Sequence, residues 1–321
     1  MANDRDLGFL AEPGDLADWR MVILVDNAAR AGLLDLLPGT AEEAAAKAGM
    51  HPKSARVLLD ALTVFGVVTV IDDGETVYRP GPAMPDGDQR AILAQHAQFI
   101  GRWASELPGR LPDPINRERR PWIRPGLAGW LASLGARAKG EAPGVIDRCL
   151  AAFPNARTVL DVAGGHGEYG IEAARRGLDV TLLDLPQVID IVSEWPSVRE
   201  TGIHLWAGDV FDSRPDATFD LVLAFGFTHT QPAGRIATLF PHLAALTNNG
   251  GGLAVNTFLR GSGPVARLFA VQMLIAGNDG DTHRLEDYVS WITAAGYDEP
   301  WLEDGDGRTL LLAKKSGTSV L

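Results

Sequence analysis

The chain has 321 residues, 46% hydrophobic and 22% charged, a balance that suits folded domains rather than a disordered polymer. A net charge of −12 opposes a nucleic-acid partner. No apolar run reaches the roughly 20 residues of a membrane helix, and one cysteine, Cys149, excludes an internal disulfide and suits a reducing cytoplasm. The opening Met1–Leu7 carries acids and no apolar core, unlike a secretory signal.

Residues 21–37 are helical in period and punctuated by Gly32 and Pro38. Thr40 and Glu43 form a capping-box pattern that starts a second helix ending near Gly49. A third begins at Pro52, carries Leu58, Leu62 and Phe65 on one face, and stops at Gly66. Strand, turn and strand follow over 67–78. Three helices and a two-stranded wing make a winged-helix order. Residues 40–80 hold four Lys or Arg against six Asp or Glu, which speaks against DNA binding.

Residues 88–153 read as mostly helical, broken by a Pro/Arg-rich loop at 111–122 that includes Arg117 and Arg120. Beyond that, expected strands lie at 158–162, 180–184, 203–207, 219–224, 252–258 and 308–314. Expected helices lie at 167–176, 186–194, 232–246, 264–276 and 285–295. The alternation predicts an α/β fold: a doubly wound, Rossmann-like parallel sheet behind an N-terminal helical winged-helix domain. The expected domains are 1–85, a helical connector at 86–153, and 154–321.

The most informative run is Thr158-Val-Leu-Asp-Val-Ala-Gly-Gly-His-Gly-Glu-Tyr-Gly170: a strand ending in an acid, a glycine turn, then a helix start. Glycine lets the backbone approach a ligand closely, and the helix start offers free N–H groups. Asp161 and Asp184 at adjacent strand tips suit an amine and a ribose diol. Asp209, in Gly208-Asp-Val-Phe after the third strand, suits an adenine amino group. The pattern Gly165-x-Gly167-x-x-Gly170 also fits a dinucleotide fingerprint, so a nicotinamide dehydrogenase stays open, although Asp161 stands where that fold keeps an apolar residue.

Taken in order, these motifs resemble the S-adenosylmethionine (SAM)-dependent small-molecule O-methyltransferases of the plant caffeate/isoflavone and bacterial antibiotic-tailoring type. The likeness runs from about residue 20 to 315. Ala163 stands where the family's first glycine is usual. The resemblance implies SAM as cofactor, held by Asp161, Gly164, Gly165, Gly167, Asp184, Asp209, Val210 and Phe225. It implies no metal, a homodimer formed through the winged-helix domain, and no membrane partner. It places His229, in Phe225-Gly-Phe-Thr-His229, as general base toward an acceptor hydroxyl. An isolated histidine also caps helices or packs in cores, and that alternative stays open on the residues alone.

Three departures stand out. Thr230, Asn256 and Thr282 occupy positions where the family carries acids that orient the imidazole; Asp279 and Asp281 are neighbouring substitutes. These departures motivate a second expectation: a SAM-binding relative that has lost methyl transfer for decarboxylation, hydroxylation or pericyclic chemistry. A winged-helix regulator is a third. Phe99, Trp103, Trp122, Trp130, Phe269 and Met273 are candidate linings for a flat, apolar substrate, each with plain core packing as its alternative.

Overall fold

The structure, a computed structural model, describes residues 18–72, 74–113, 126–276, 279–304 and 308–316. The chain divides into two compact units, Met1–Ala104 and Ser105–Leu321.

In the N-terminal unit, α1 (Trp19–Arg30) ends where Gly32 turns left-handed, and a separate 3₁₀ turn occupies Leu33–Leu36. Gly32, read as punctuation within 21–37, divides that stretch into two elements, because it takes a conformation that a helix cannot continue. Helix α2 (Ala41–Ala48) carries the expected capping box, with Glu43 N–H on Thr40 Oγ1 at 3.2 Å and Thr40 N–H on Glu43 Oε2 at 3.1 Å. Helix α3 (Pro52–Thr63) buries Ala55, Leu59 and Leu62. Strands β1 (Val68–Asp72) and β2 (Thr76–Pro80) pair antiparallel as the wing. On α3, Arg56 is already ion-paired to Asp60 at 2.8 Å, which subtracts one cation from any nucleic-acid surface. Helix α4 (Gly87–Arg110) crosses the boundary between the units.

The C-terminal unit begins its described core with α5 (Leu127–Ala152). Then come β3 (Thr158–Val162), α6 (Glu168–Arg175), β4 (Asp179–Asp184), α7 (Pro186–Val192), α8 (Pro196–Thr201) and β5 (His204–Ala207). Next are β6 (Phe219–Phe225), a 3₁₀ turn at Thr228–Thr230, α9 (Ala233–Leu246) and β7 (Thr247–Thr257). Last are α10 (Pro264–Ala276), α11 (Leu285–Ala294), β8 (Trp301–Asp304) and β9 (Thr309–Lys314). The seven-stranded order is β5-β4-β3-β6-β7-β9-β8.

Alternate residues of each central strand feed two cores. Val159, Leu221 and Leu223 pack with α5 to α8, while Leu160, Val162, Val222 and Ala224 pack with α9 and α11. Burying each such Val or Leu side chain contributes about 1.5–3 kcal/mol. That two-sided burial is why these strands read as apolar runs.

Two expectations are corrected. The sheet is not all parallel: β9 pairs antiparallel with β7 and β8 antiparallel with β9. Strand β8 is additional to the expected set, because it is four residues long and polar at its end. The chain reverses direction across the sheet between β3 and β6, so the carboxyl edge opens a crevice there. No helix among the described residues is long and apolar enough to cross a membrane.

Candidate functional site

The crevice is floored by the turn between β3 and α6. Ala163, Gly165 and Gly167 all hold positive φ, at 52°, 53° and 75°. The turn is tied to the neighbouring strand tip by Ala163 N–H on Leu183 O at 2.8 Å and Gly165 N–H on Asp184 Oδ2 at 2.8 Å. Gly164 cannot be replaced without displacement, since a Cβ there would lie 2.6 Å from Asp161 Oδ2. Ala163 carries a side chain where glycine would be unstrained. We expect Ala163→Gly to raise the thermal midpoint by about 1–4 °C, because about 1–2 kcal/mol of strain is relieved and glycine's entropy takes back about 0.5–1 kcal/mol.

Asp161 does not stand at an open strand tip. It is 1% exposed, one residue before the end of β3, and lies beneath Gly164 and Gly170. Both carboxylate oxygens are buried and, among the described residues, make no well-formed hydrogen bond, with only a weak approach from Gly170 N–H. Burial, then the nearby Asp184 charge, pushes its pKa up to about 7. Asp184 ends β4 and accepts from Gly165 N–H and from Leu185 N–H at 2.7 Å. Burial also raises Asp184, to about 6, with Asp209 adding to the effect. Asp209 accepts from Phe211 N–H at 3.0 Å and faces Arg235 at 3.5 Å, whose guanidinium lies 4.0 Å over the Phe211 ring. Val210 is buried, and Phe225 meets Tyr169 edge-on at 4.9 Å. Three crowded carboxylates, two of them held toward the neutral form, make a cradle that a cationic nucleoside would relieve.

The second half of the edge is aromatic. His229 sits in the 3₁₀ turn after β6 and is 5% exposed. Its ring meets Phe269 edge-on at 4.6 Å and Phe258 at 5.6 Å. Its Nδ1 lies 3.4 Å from Thr257 Oγ1, which in turn lies 3.1 Å from Tyr288 Oη. Thr228 joins the same hydroxyl cluster at 2.7 Å from Tyr288 Oη. Hydroxyls stand where a carboxylate would hold an imidazolium. Burial first, then the positive Arg308 and the nearby His283, push His229 down to about 3, so the ring is neutral.

At the positions where acids were sought, other bonding prevails. Thr230 Oγ1 donates to Phe227 O, Asn256 is buried in β7, and Thr282 is buried. Asp281 is engaged with Arg260 and so does not serve His229. Asp279 takes a positive φ of 62°. His283 Nε2 donates to Gln231 O at 3.0 Å, and the ring packs on Trp291.

Of the expected linings, Phe269 touches His229, and Met273 lies one turn further along α10, half-buried. Trp130 is half-buried on α5. Phe99 and Trp103 lie on the α4 segment of the N-terminal unit. Trp122, Arg117 and Arg120 fall outside the described residues.

Sequence reasoning missed a charged cluster beside these aromatics. Arg308, 16% exposed, lies 5.1 Å from the centre of the Phe258 ring. Its Nη1 reaches Tyr169 Oη at 3.4 Å and Glu141 Oε2 at 3.4 Å. Arg137 shares Glu141 at 3.5 Å. Arg308 is an isolated basic residue in a turn, with no motif around it to mark it.

Residues 134–298 match a family model described as a methyltransferase domain. The tetracenomycin polyketide synthesis 8-O-methyl transferase TcmO of Streptomyces glaucescens is 24% identical over 311 residues, covering 89% of this chain and 91% of TcmO. Human N-acetylserotonin methyltransferase, solved in complex with SAM, superposes with a TM-score of 0.77 at 19% identity, covering 93% of this chain and 94% of that one. An O-methyltransferase family protein from Burkholderia thailandensis gives 0.78 at 22% identity, covering 94% and 96%. At these identities the solved structures share the fold.

Proposed function

The chain belongs to the methyltransferase-domain family, and from that premise we propose that it methylates a hydroxyl of an aromatic or polyketide-like small molecule, with SAM as cofactor. The observation that carries the reading is the cradle of crowded carboxylates under a positive-φ turn, set beside a buried histidine on one sheet edge. Bound there, SAM would supply a methyl group activated by its positively charged sulfur. Asp184 is assigned to the ribose hydroxyls and Asp209 to the adenine. Gly164, Gly165 and Gly167 admit the ligand to the backbone. Asp161 holds the turn from beneath and adds negative field.

His229 is assigned to the acceptor. Its neutral ring offers a lone pair to the hydroxyl and fixes the line of attack between Phe258 and Phe269. Orientation of that kind supplies about 7–11 kcal/mol of barrier lowering, so a weak base suffices. His229→Ala is expected to lower turnover more than tenfold with little change in affinity for S-adenosylhomocysteine (SAH). Initial rates beside calorimetry check it, and an unchanged rate removes His229 from the chemistry.

TcmO, by its name, acts in polyketide synthesis, which supports the acceptor class. In this reading 1–85 is a dimerisation domain, 86–153 a helical connector and 154–321 the SAM-binding domain, in a cytoplasmic homodimer. Exposed Trp19, Val57 and Val64, at 63%, 50% and 78%, support an apolar contact with a second copy.

The hydroxyl environment of His229 favours one other reading: SAM bound but not consumed, with decarboxylation, hydroxylation or pericyclic chemistry instead. Incubating protein, SAM and a panel of phenolic acceptors separates the two. SAH formed in step with a methylated acceptor supports the first, and product without SAH supports the second.

A further inference from the structure

An imidazole without a carboxylate partner is a poor place to leave a proton. If His229 kept the acceptor's proton, the imidazolium would face Phe258, Phe269 and a threonine hydroxyl, with the Arg308 guanidinium across the Phe258 ring. Burying such a charge without a counter-ion costs several kcal/mol. The same arrangement is favourable for the opposite charge. Both groups border the Phe258 ring, so a negative oxygen beside that ring would meet a neutral imidazole and a cation.

Arg308 is placed for that task by the fold. Thr309 pairs with Thr257 at the carboxyl end of β7, so the residue before β9 emerges at the ligand edge. Its guanidinium is fixed between α6, through Tyr169, and α5, through Glu141. Among the described residues both contacts use Nη1, which leaves the Nε and Nη2 donors of the fork for a ligand. The groups that face it are Arg137 and Glu141 from α5, His166 from the glycine turn, Tyr169 from α6 and His229 from the turn after β6. Glu141 is shared by Arg137 and Arg308. Burial keeps His166 neutral, down to about 3, and Tyr169 protonated, up to about 12.

We propose that Arg308 binds the acceptor hydroxyl as its oxyanion, so that this protein selects acidic hydroxyls, such as phenols and enols conjugated to a carbonyl, over ordinary alcohols. The inference rests on the methyltransferase reading above and names its acceptor class. The O–H bond breaks before methylation, its electron pair stays on oxygen, and the proton passes to solvent water, with His229 sharing it only in transit. Aliphatic alcohols lose because they are far weaker acids and the neutral His229 is too weak a base to strip them.

The test uses the full chain saturated with SAH, and 4-nitrophenol as a probe whose phenolate absorbs visibly. The bound probe should titrate at least about one pH unit below the free probe, as expected for an acid beside a cation. In Arg308→Met the midpoint should return to the free value or above, and Arg308→Lys should keep part of the lowering. A wild-type midpoint at or above the free value overturns the proposal, and so does failure of the probe to bind at millimolar concentration. The wild-type titration stands even if a variant does not fold. Equal or tighter displacement of the probe by 4-nitrobenzoate assigns Arg308 to a carboxylate and also overturns it. SAH calorimetry on the native protein keeps the two readings apart. Absent SAH binding defeats the methyltransferase reading, whereas normal SAH binding with an unchanged probe midpoint defeats only this one.

Discussion

Replacing Asp184 with alanine is expected to weaken SAH binding about 100-fold, close to 2.7 kcal/mol. The carboxylate accepts from Gly165 N–H and Leu185 N–H, so its removal orphans two donors that shape the turn. Leaving a buried donor unmet costs about 1–3 kcal/mol, and the assigned ribose contact is lost as well. The unmet donors also lower folding stability, an effect that is partly offset. Burial already raises Asp184 to about 6, so deleting it also relieves a desolvation cost. Calorimetry with SAH, run beside a urea melt, reads both quantities. An affinity within threefold of wild type would remove Asp184 from the cofactor site.

The second large effect is in pH. Asp161 and Asp184 hold protons in the ligand-free protein up to about 7 and about 6. A cationic ligand favours their ionised forms, so uptake must release protons, and affinity for SAM must rise with pH. Between about pH 5 and pH 8 the gain should be at least about tenfold, equivalent to about 1.4 kcal/mol of binding free energy. Binding enthalpies in two buffers of different ionisation heat count the released protons. Affinity that falls over this range would contradict the assignment.

The thermal midpoint is the wrong readout for that effect. A carboxyl raised on folding stabilises below its unfolded value and loses that contribution as pH climbs through its folded value. Asp161 and Asp184 therefore favour the folded state near pH 4 and cease to by about 7. His166 and His229 are lowered to about 3, so their stabilisation exists above about 6.5 and fades as pH falls. The two pairs oppose each other across the same window.

How much is legible in the sequence follows the physics of each signal. The glycine turn is readable because few residues tolerate its φ values, and the central strands because burial on both faces leaves apolar runs. The winged-helix order is readable from capping box, proline and glycine punctuation. The antiparallel β8–β9 pair is not, since a four-residue strand carries too few alternations to show a period. The separate α8 escapes notice because Pro196 opens it only four residues after α7 ends. Asp161 reads as an open tip because a strand pattern does not tell which way its second-last residue points. Most of the half proposed for the cofactor is written in local motifs. The half proposed for the acceptor is not, because Phe258, Phe269, Arg308 and Glu141 come together only through tertiary packing.

The antiparallel course of β9 decides which rim of the sheet residue 308 reaches. Had that strand run with its neighbours, residue 308 would open at the opposite rim. As built, the second strand of the β8–β9 hairpin starts at the carboxyl edge, which puts Arg308 beside the half proposed for the acceptor and leaves the β3 to β5 tips alone. Grafting that hairpin between members of the fold should therefore exchange acceptor preference while leaving the nucleoside pocket intact.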